Sequence, residues 1–117
     1  MLKISRYRIL MDTLDGEYYQ GPEVNIHISK EDIQSLATLD DITKIYIPDH
    51  VESIEAGAFE GCTNLADVEI YGNVEDIHWS TDPRGVWKAS LGKKGLLEKL
   101  TEDGEGTITI VRTHSWD

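Results

Sequence analysis

The sequence predicts an α+β fold: a short solenoid, built as a parallel β-ladder with short helices, with an N-terminal hairpin and a C-terminal helix–strand cap. The main observation is a repeat. Five apolar residues each have an apolar partner 23 residues later. They are Ile42, Ile45, Ile47, Val51 and Ile54, and their partners are Leu65, Val68, Ile70, Val74 and Ile77. The second observation is an alternation of apolar and polar residues on either side of the repeat. Repeats of this length typically lay strands side by side over a shared apolar core.

The first 41 residues are predicted to lead into the repeat. Residues 2–11 mix β-branched, aromatic and basic side chains, which favours a strand at a sheet edge. A turn at Asp15-Gly16 completes the signal for a hairpin, and alternation over residues 24–28 indicates a half-buried strand. Ser29 and Asp32 have the spacing of a capping box. Residues 29–41 are therefore expected to form a degenerate repeat with a short helix.

Residues 42–77 are expected to form two repeat units, each a strand followed by a returning limb. Ala58 and Phe59 are predicted to fill the core between them. In the C-terminal part, residues 78–117, the stretch 86–100 is helix-like although Gly92 and Gly95 interrupt it, and residues 107–111 alternate as a last strand. We expect this helix and strand to cover the open end of the ladder, so that residues 1–117 make a single domain.

Two segments of the repeat closely resemble the BspA-type leucine-rich repeats of bacteria and some protists. Residues 45–54 read IYIPDHVESI, and residues 58–65 read AFEGCTNL. The resemblance covers about one and a half repeats within residues 42–77. It implies a leucine-rich-repeat-like parallel ladder and a general role in binding proteins or ligands. Family members are typically long and often surface-exposed, whereas this chain is short and shows no export signal, which favours a compact intracellular binder.

Charge narrows the class of partner. The formal net charge is −11, and residues 9–83 hold 17 acidic residues against two lysines, a net charge of −15. Such a field repels nucleic acid and attracts cationic partners, although an acidic surface also serves solubility alone. A single cysteine fits a reducing compartment, and no segment approaches the ~20 apolar residues of a membrane span. We therefore expect a cytoplasmic protein that binds neither membrane nor nucleic acid, with its oligomeric state left open.

The predicted ladder has one outward row of side chains. With Ile45 and Ile47 inward, Lys44 and Tyr46 face outward by alternation. The 23-residue period places Asp67 and Glu69 beside them, with Tyr71 at the strand end. If the flanking strands join the same sheet, the row is predicted to extend through Asn25 and His27 on one side and through Thr107 and Thr109 on the other. Tyrosine is common in interfaces, so this row is the predicted partner-binding site; the alternative is an ordinary exposed face with pairs such as Lys44 with Asp67.

No catalytic, metal or cofactor site is predicted. Cys62 lies where the repeat places a small turn residue, and the sequence supplies no positioned base, so a structural cysteine is favoured. The four histidines lack the spacing of metal ligands. Trp87 is expected to pack in the cap, and Trp116 to contact a partner.

These observations predict a non-catalytic protein-binding module. The specific form of this hypothesis is an acidic inhibitor or immunity-type protein that neutralises a basic protein. Two alternatives stay open: a shortened relative of surface leucine-rich-repeat proteins with a structural or adhesive role, and a cysteine-dependent enzyme that uses Cys62.

Overall fold

The computed structural model describes residues 7–113, with the side chain of Tyr19 excepted. The strands in this range are β1 (Arg8–Thr13), β2 (Tyr18–Glu23), β3 (His27–Ile28), β4 (Ile42–Ile47), β5 (Ser53–Glu55), β6 (Asp67–Ile70), β7 (Val74–Ser80), β8 (Lys88–Ser90) and β9 (Thr107–Arg112). The helices are α1 (Lys30–Gln34) and α2 (Lys93–Thr101), and a 3₁₀ turn spans Leu39–Asp41.

One sheet has four strands in the order β2-β1-β4-β6. β1 is antiparallel to both β2 and β4, whereas β4 and β6 are parallel. The described part of the first strand is therefore interior to the sheet, and the prediction of an edge strand is wrong. Ile9 and Met11 explain its position, because both are fully buried on the inner face while the backbone is paired on both sides.

The other sheet has five strands in the order β3-β5-β9-β7-β8. β3 and β5 are parallel, and the other pairs are antiparallel. β9 lies between β5 and β7: Ile108 pairs with Ile54 on one side and with Trp79 on the other. The last described strand is thus the centre of this sheet.

The predicted parallel-ladder solenoid with a C-terminal cap is wrong. Within residues 7–113, each sheet holds one parallel pair, and the rest of its pairing is antiparallel. The fold is a mixed two-sheet structure, mostly strands with few helices. The physical reason is that two repeat units alone leave strand edges unpaired and apolar side chains uncovered. β1 pairs with one such edge, at β4, and β9 fills the space between the two returning limbs.

The prediction is confirmed for the start of the first helix and wrong for the start of the second. α1 begins as predicted, because Ser29 and Asp32 form the capping box: the Ser29 side chain accepts from the Asp32 amide, and the Ser29 amide donates to the Asp32 carboxylate. The helix expected over residues 86–100 begins only at Lys93. Lys88–Ser90 instead pairs with β7 as an edge strand, and Trp87 is 78% exposed rather than packed.

The inner faces of both sheets share one core. Ile45, Ile47 and Val68 come from the four-stranded sheet, and Ile54 and Ile108 come from the five-stranded sheet. The helices add Ile33, Leu96 and Leu100, and the Ala58-Phe59 pair is fully buried as predicted. The helices found among the described residues are too short and too polar to cross a membrane. The faces turned away from the core are therefore where a site must be sought.

Candidate functional site

The predicted outward row exists on the four-stranded sheet. In β4, Ile45 and Ile47 are buried, so Lys44 and Tyr46 lie on the opposite face. The parallel register pairs Lys44 with Asp67 and Tyr46 with Glu69, as the 23-residue period predicted. Pairing continues past the end of β6, because the Tyr71 amide donates to the Ile47 carbonyl at 3.0 Å.

These side chains contact one another. Lys44 Nζ lies 3.4 Å from Asp67 Oδ2, and Lys93 Nζ, from the first turn of α2, lies 2.8 Å from Asp67 Oδ1. The Lys44 ammonium is 4.8 Å from the centroid of the Tyr46 ring. The rings of Tyr46 and Tyr71 stack with centroids 6.2 Å apart and planes 19° apart. Both tyrosines are thereby held in defined positions.

The four-stranded sheet extends this face towards β1 and β2. The register places Leu10 beside Tyr46 and Asp12 beside Lys44, and Tyr18 lies beside Asp12 in turn. The Tyr46 hydroxyl donates to Asp12 Oδ2 at 2.8 Å. We call this surface the tyrosine face; it consists of Leu10, Asp12, Tyr18, Gln20, Lys44, Tyr46, Asp67, Glu69 and Tyr71.

Sequence reasoning assigned the wrong neighbours to this face. Asn25, His27, Thr107 and Thr109 were expected to extend it. His27, Thr107 and Thr109 belong to the other sheet, and Asn25 lies in the connection before β3. Asp12, Tyr18 and Gln20 were missed because a strand pattern shows which side chains share a face but not which strand lies beside it. The turn at Asp15-Gly16 was the available signal, since it predicts that residues on its two sides pair.

The protonation states of the face follow from its contacts. Hydrogen bonds from Lys93 and then Lys44 lower the pKa of Asp67, although partial burial opposes them. Donation to Asp12, together with desolvation, raises the pKa of Tyr46. Desolvation and the nearby Glu69 carboxylate raise the pKa of Tyr71. At neutral pH the Tyr46 and Tyr71 hydroxyls therefore stay protonated, and the Asp67 carboxyl is ionised.

The tyrosine face is open and nearly balanced in charge. Tyr18 is 53% exposed and Tyr71 is 42% exposed. The three carboxylates of the face, at Asp12, Asp67 and Glu69, are opposed by Lys44 and the adjoining Lys93. Most of the acidic excess of the chain therefore lies outside this face.

The alternative candidates for chemistry do not assemble into a site. Cys62 is buried, and desolvation raises the pKa of its thiol to about 11, so little thiolate exists at neutral pH. His27 contacts Ser53, and His50 contacts the Val24 carbonyl. His78 Nε2 lies 2.5 Å from Asp76 Oδ2, and the same oxygen accepts from the Ser90 hydroxyl at 3.3 Å. Within residues 7–113, no three potential metal ligands converge; His114 and Trp116 lie outside that range.

The residues that carry the family resemblance have structural roles. Phe59 and Cys62 fill the core below the turn between the two repeat units. The Asn64 side chain donates to the Asp40 carbonyl at 2.6 Å, which ties this turn to the 3₁₀ turn that begins the previous unit. The Leu65 amide donates to the Cys62 carbonyl and closes the turn. The motif thus sets the path of the chain between β5 and β6.

Comparison with known proteins agrees with this motif. Residues 28–81 match the family model described as BspA type Leucine rich repeat region (6 copies). No curated protein and no solved structure matches the chain. Repeats of this class generally serve protein interaction or structural roles and are typically non-catalytic. The resemblance seen in residues 42–77 is confirmed, and residues 28–81 are similar to the BspA-type leucine-rich repeats.

Proposed function

We propose that this protein is a non-catalytic binding module that holds a partner protein on the tyrosine face. The observation that carries the proposal is the stacked pair Tyr46 and Tyr71 on an open sheet, braced by Lys44 and Asp12. Tyrosines held in place lose little conformational entropy on binding and supply both contact area and a hydrogen-bonding hydroxyl. The BspA-type repeat provides a family context of protein interaction.

The partner in this proposal is a basic protein, and the role is that of an acidic inhibitor or immunity-type protein. The net charge of −15 over residues 9–83 supports this version. Acidic side chains outside the tyrosine face attract the cationic surface of a partner before contact. The tyrosine face, which is nearly balanced in charge, then forms the close contacts. Charge of this kind acts mainly on the association rate, and its effect falls as salt increases.

The test uses a phage-displayed library of genomic fragments from the native host, selected against the immobilised full chain. We expect the enriched fragments to be basic. Their affinity should fall at least about tenfold, equivalent to 1.4 kcal/mol, for the double variant Tyr46→Ala/Tyr71→Ala. The matched control is Ile26→Ala, which removes an exposed apolar side chain outside the tyrosine face and should leave binding unchanged.

Three results would contradict the proposal in separate ways. Enriched fragments that bind the double variant as well as the wild type would exclude the tyrosine face as the site. A predominance of acidic fragments would exclude a basic partner. An association rate unaffected by raising salt from low to physiological concentration would exclude electrostatic steering. Tyr46 is half-buried and Tyr71 is exposed, so the double variant should lose no more than about 2 kcal/mol of stability, and thermal unfolding separates loss of contact from loss of fold.

A further inference from the structure

The five-stranded sheet ends in an open edge at β8. Among the described residues, β8 pairs only with β7, and its residues Lys88, Ala89 and Ser90 are all exposed. The Leu91 amide donates to the Ile77 carbonyl in the same register. Because backbone pairing alternates along an antiparallel pair, Ala89 also bonds towards β7. Lys88 and Ser90 therefore direct their backbone N–H and C=O groups to the free edge.

Two apolar side chains lie beside this edge without cover. Trp87 is 78% exposed and Val86 is 57% exposed, and Trp87 is the most exposed large apolar residue in the described part of the chain. The backbone that carries Trp87 is nevertheless fixed, because its carbonyl accepts from the Ser80 hydroxyl at 2.7 Å. A large ring on a fixed backbone beside an unpaired strand is a ready contact for a bound segment.

The same segment is basic within an acidic protein. Residues 84–97 contain Arg84, Lys88, Lys93 and Lys94 and no acidic residue. Lys93 is engaged by Asp67, whereas Lys88 and Lys94 are exposed and Arg84 is 80% exposed beside Asp82. Lysines on an edge strand discourage pairing with another basic strand. In an antiparallel pairing of two β8 edges, the Lys88 side chains would add like charges to the same short ribbon, so the charge favours an acidic occupant over a second copy.

We propose that the β8 edge binds an extended acidic segment of a partner protein by adding it as a sixth strand to the sheet. The backbone groups of Lys88 and Ser90 form the new ladder, as in other cases of strand addition. Trp87 and Val86 contact an apolar side chain of the segment, and Arg84 and Lys88 pair with its carboxylates. Single-stranded nucleic acid also binds cations and aromatic rings, but it has no peptide N–H and C=O groups that could continue the ladder of the free β8 edge.

The test measures fluorescence anisotropy of a labelled peptide in which glutamate alternates with valine, added to the full-length protein. Ser90→Pro removes one edge-facing N–H and should weaken binding at least about tenfold, equivalent to 1.4 kcal/mol. Ser90→Ala is the matched control, since it removes the hydroxyl but keeps the N–H, and should bind as the wild type does. Arg84→Glu/Lys88→Glu should reverse the preference towards a peptide with lysine in place of glutamate.

Several outcomes would overturn the proposal. These are no binding by the wild type at millimolar peptide, equal binding by Ser90→Pro and Ser90→Ala, or tighter binding of a labelled oligothymidine than of the peptide. If Ser90→Pro does not fold, hydrogen exchange of the wild type decides: the peptide must slow exchange of the Lys88 and Ser90 amides, and unchanged exchange rejects strand addition. The Tyr46→Ala/Tyr71→Ala variant should keep the peptide affinity, so failure at one surface does not imply failure at the other.

Discussion

The same 23-residue repeat has opposite outcomes in the two sheets. In the four-stranded sheet, β4 and β6 lie side by side, and Ile45 pairs with Val68 one period later. In the five-stranded sheet, Ile54 and Ile77 are also one period apart, yet β9 separates them. The repeat therefore predicts the strand neighbours of one sheet only, because an edge left open by a short repeat can be taken by another strand with a suitable apolar face. It does not fix burial either, since Val51 is buried and Val74, one period later, is 36% exposed.

The largest effect is expected from Phe59→Ala, which removes a side chain below both sheets. Phe59 is fully buried in the shared core, and truncation of a buried phenylalanine to alanine costs about 3–5 kcal/mol. Because the core is common, β4/β6 and the β9 region should unfold together. Chemical denaturation followed by tryptophan fluorescence and by circular dichroism measures this. A loss below about 1 kcal/mol, or two separate transitions, would show that the sheets do not share one cooperative core.

Ile108→Ala addresses the inserted strand alone. Ile108 is fully buried and stands between Ile54 and Trp79, so its truncation should cost about 2–5 kcal/mol. Thr109→Ala is the control on the exposed face of the same strand and should change the free energy of unfolding by about 0.5 kcal/mol or less. Equal effects of the two substitutions would mean that β9 is a peripheral strand, as the sequence alone suggested.

Sequence patterns predicted local structure, and which side chains share a face, better than they predicted which strands lie side by side. The capping box at Ser29, the burial of Phe59 and the register of Tyr46 with Glu69 follow from interactions within a few residues or from the repeat itself. The position of β9 does not follow from local interactions or from the repeat, because the alternation of residues 107–111 indicates only that one face of the strand is buried. The same holds for Tyr18, which joins the tyrosine face through β1 rather than through the repeat.

The helix prediction over residues 86–100 failed for a related reason. Apolar residues there have helical spacing, but Gly92 lies between the strand β8 and the helix α2, and only Lys93–Thr101 is helical. Lys88–Ser90 becomes a strand because β7 offers it a partner edge. Tertiary pairing thus overrides a weak local preference, and it leaves Trp87 exposed.

A smaller effect is expected where Arg112 joins the two regions. Its Nε donates to the Tyr71 carbonyl at 3.0 Å, its Nη2 donates to the Pro48 carbonyl at 3.1 Å, and its Nη1 donates to the Val51 carbonyl. Arg112→Met keeps much of the apolar stem but removes these donors, and should cost about 1–3 kcal/mol. Arg112→Lys should recover part of the loss, since one ammonium can reach fewer of the three carbonyls.

Gly72→Ala tests the same connection from the opposite side. Gly72 has φ of +96°, and an added Cβ would lie 2.8 Å from Arg112 Nε. The Cβ would also lie 2.9 Å from Arg112 Cδ, so the substitution should destabilise the protein. The loss should be smaller in the Arg112→Met background, because a methionine side chain that is not held by the three carbonyls can move away from the added Cβ. Additive effects of Gly72→Ala and Arg112→Met in thermal unfolding would show that the two positions are not coupled.

The smallest effect is expected from two carboxylates, one in each region. Hydrogen bonds from Lys93 and Lys44 lower the pKa of Asp67 in β6, and the contact with His78 lowers the pKa of Asp76 in β7. A carboxyl whose pKa is lower in the folded state adds stability above its unfolded pKa of about 3.9, and that contribution is lost as the pH falls through the folded value. The difference between wild type and Asp67→Asn should thus be constant near neutral pH and shrink below about pH 4, and the difference for Asp76→Asn should shrink over the same acidic range.

Salt separates the two sites. The ammonium groups around Asp67 are held by exposed ion pairs, which about 1 M salt screens strongly. Each carboxylate accepts from the amide of the next residue, Val68 or Ile77, but only Asp76 also accepts from a neutral hydroxyl, that of Ser90. Added salt should therefore reduce the effect of Asp67→Asn more than that of Asp76→Asn in parallel urea titrations. An equal reduction at both sites would mean that the ion pairs of Lys44 and Lys93 with Asp67 contribute no more than the contacts of Asp76 with His78 and Ser90.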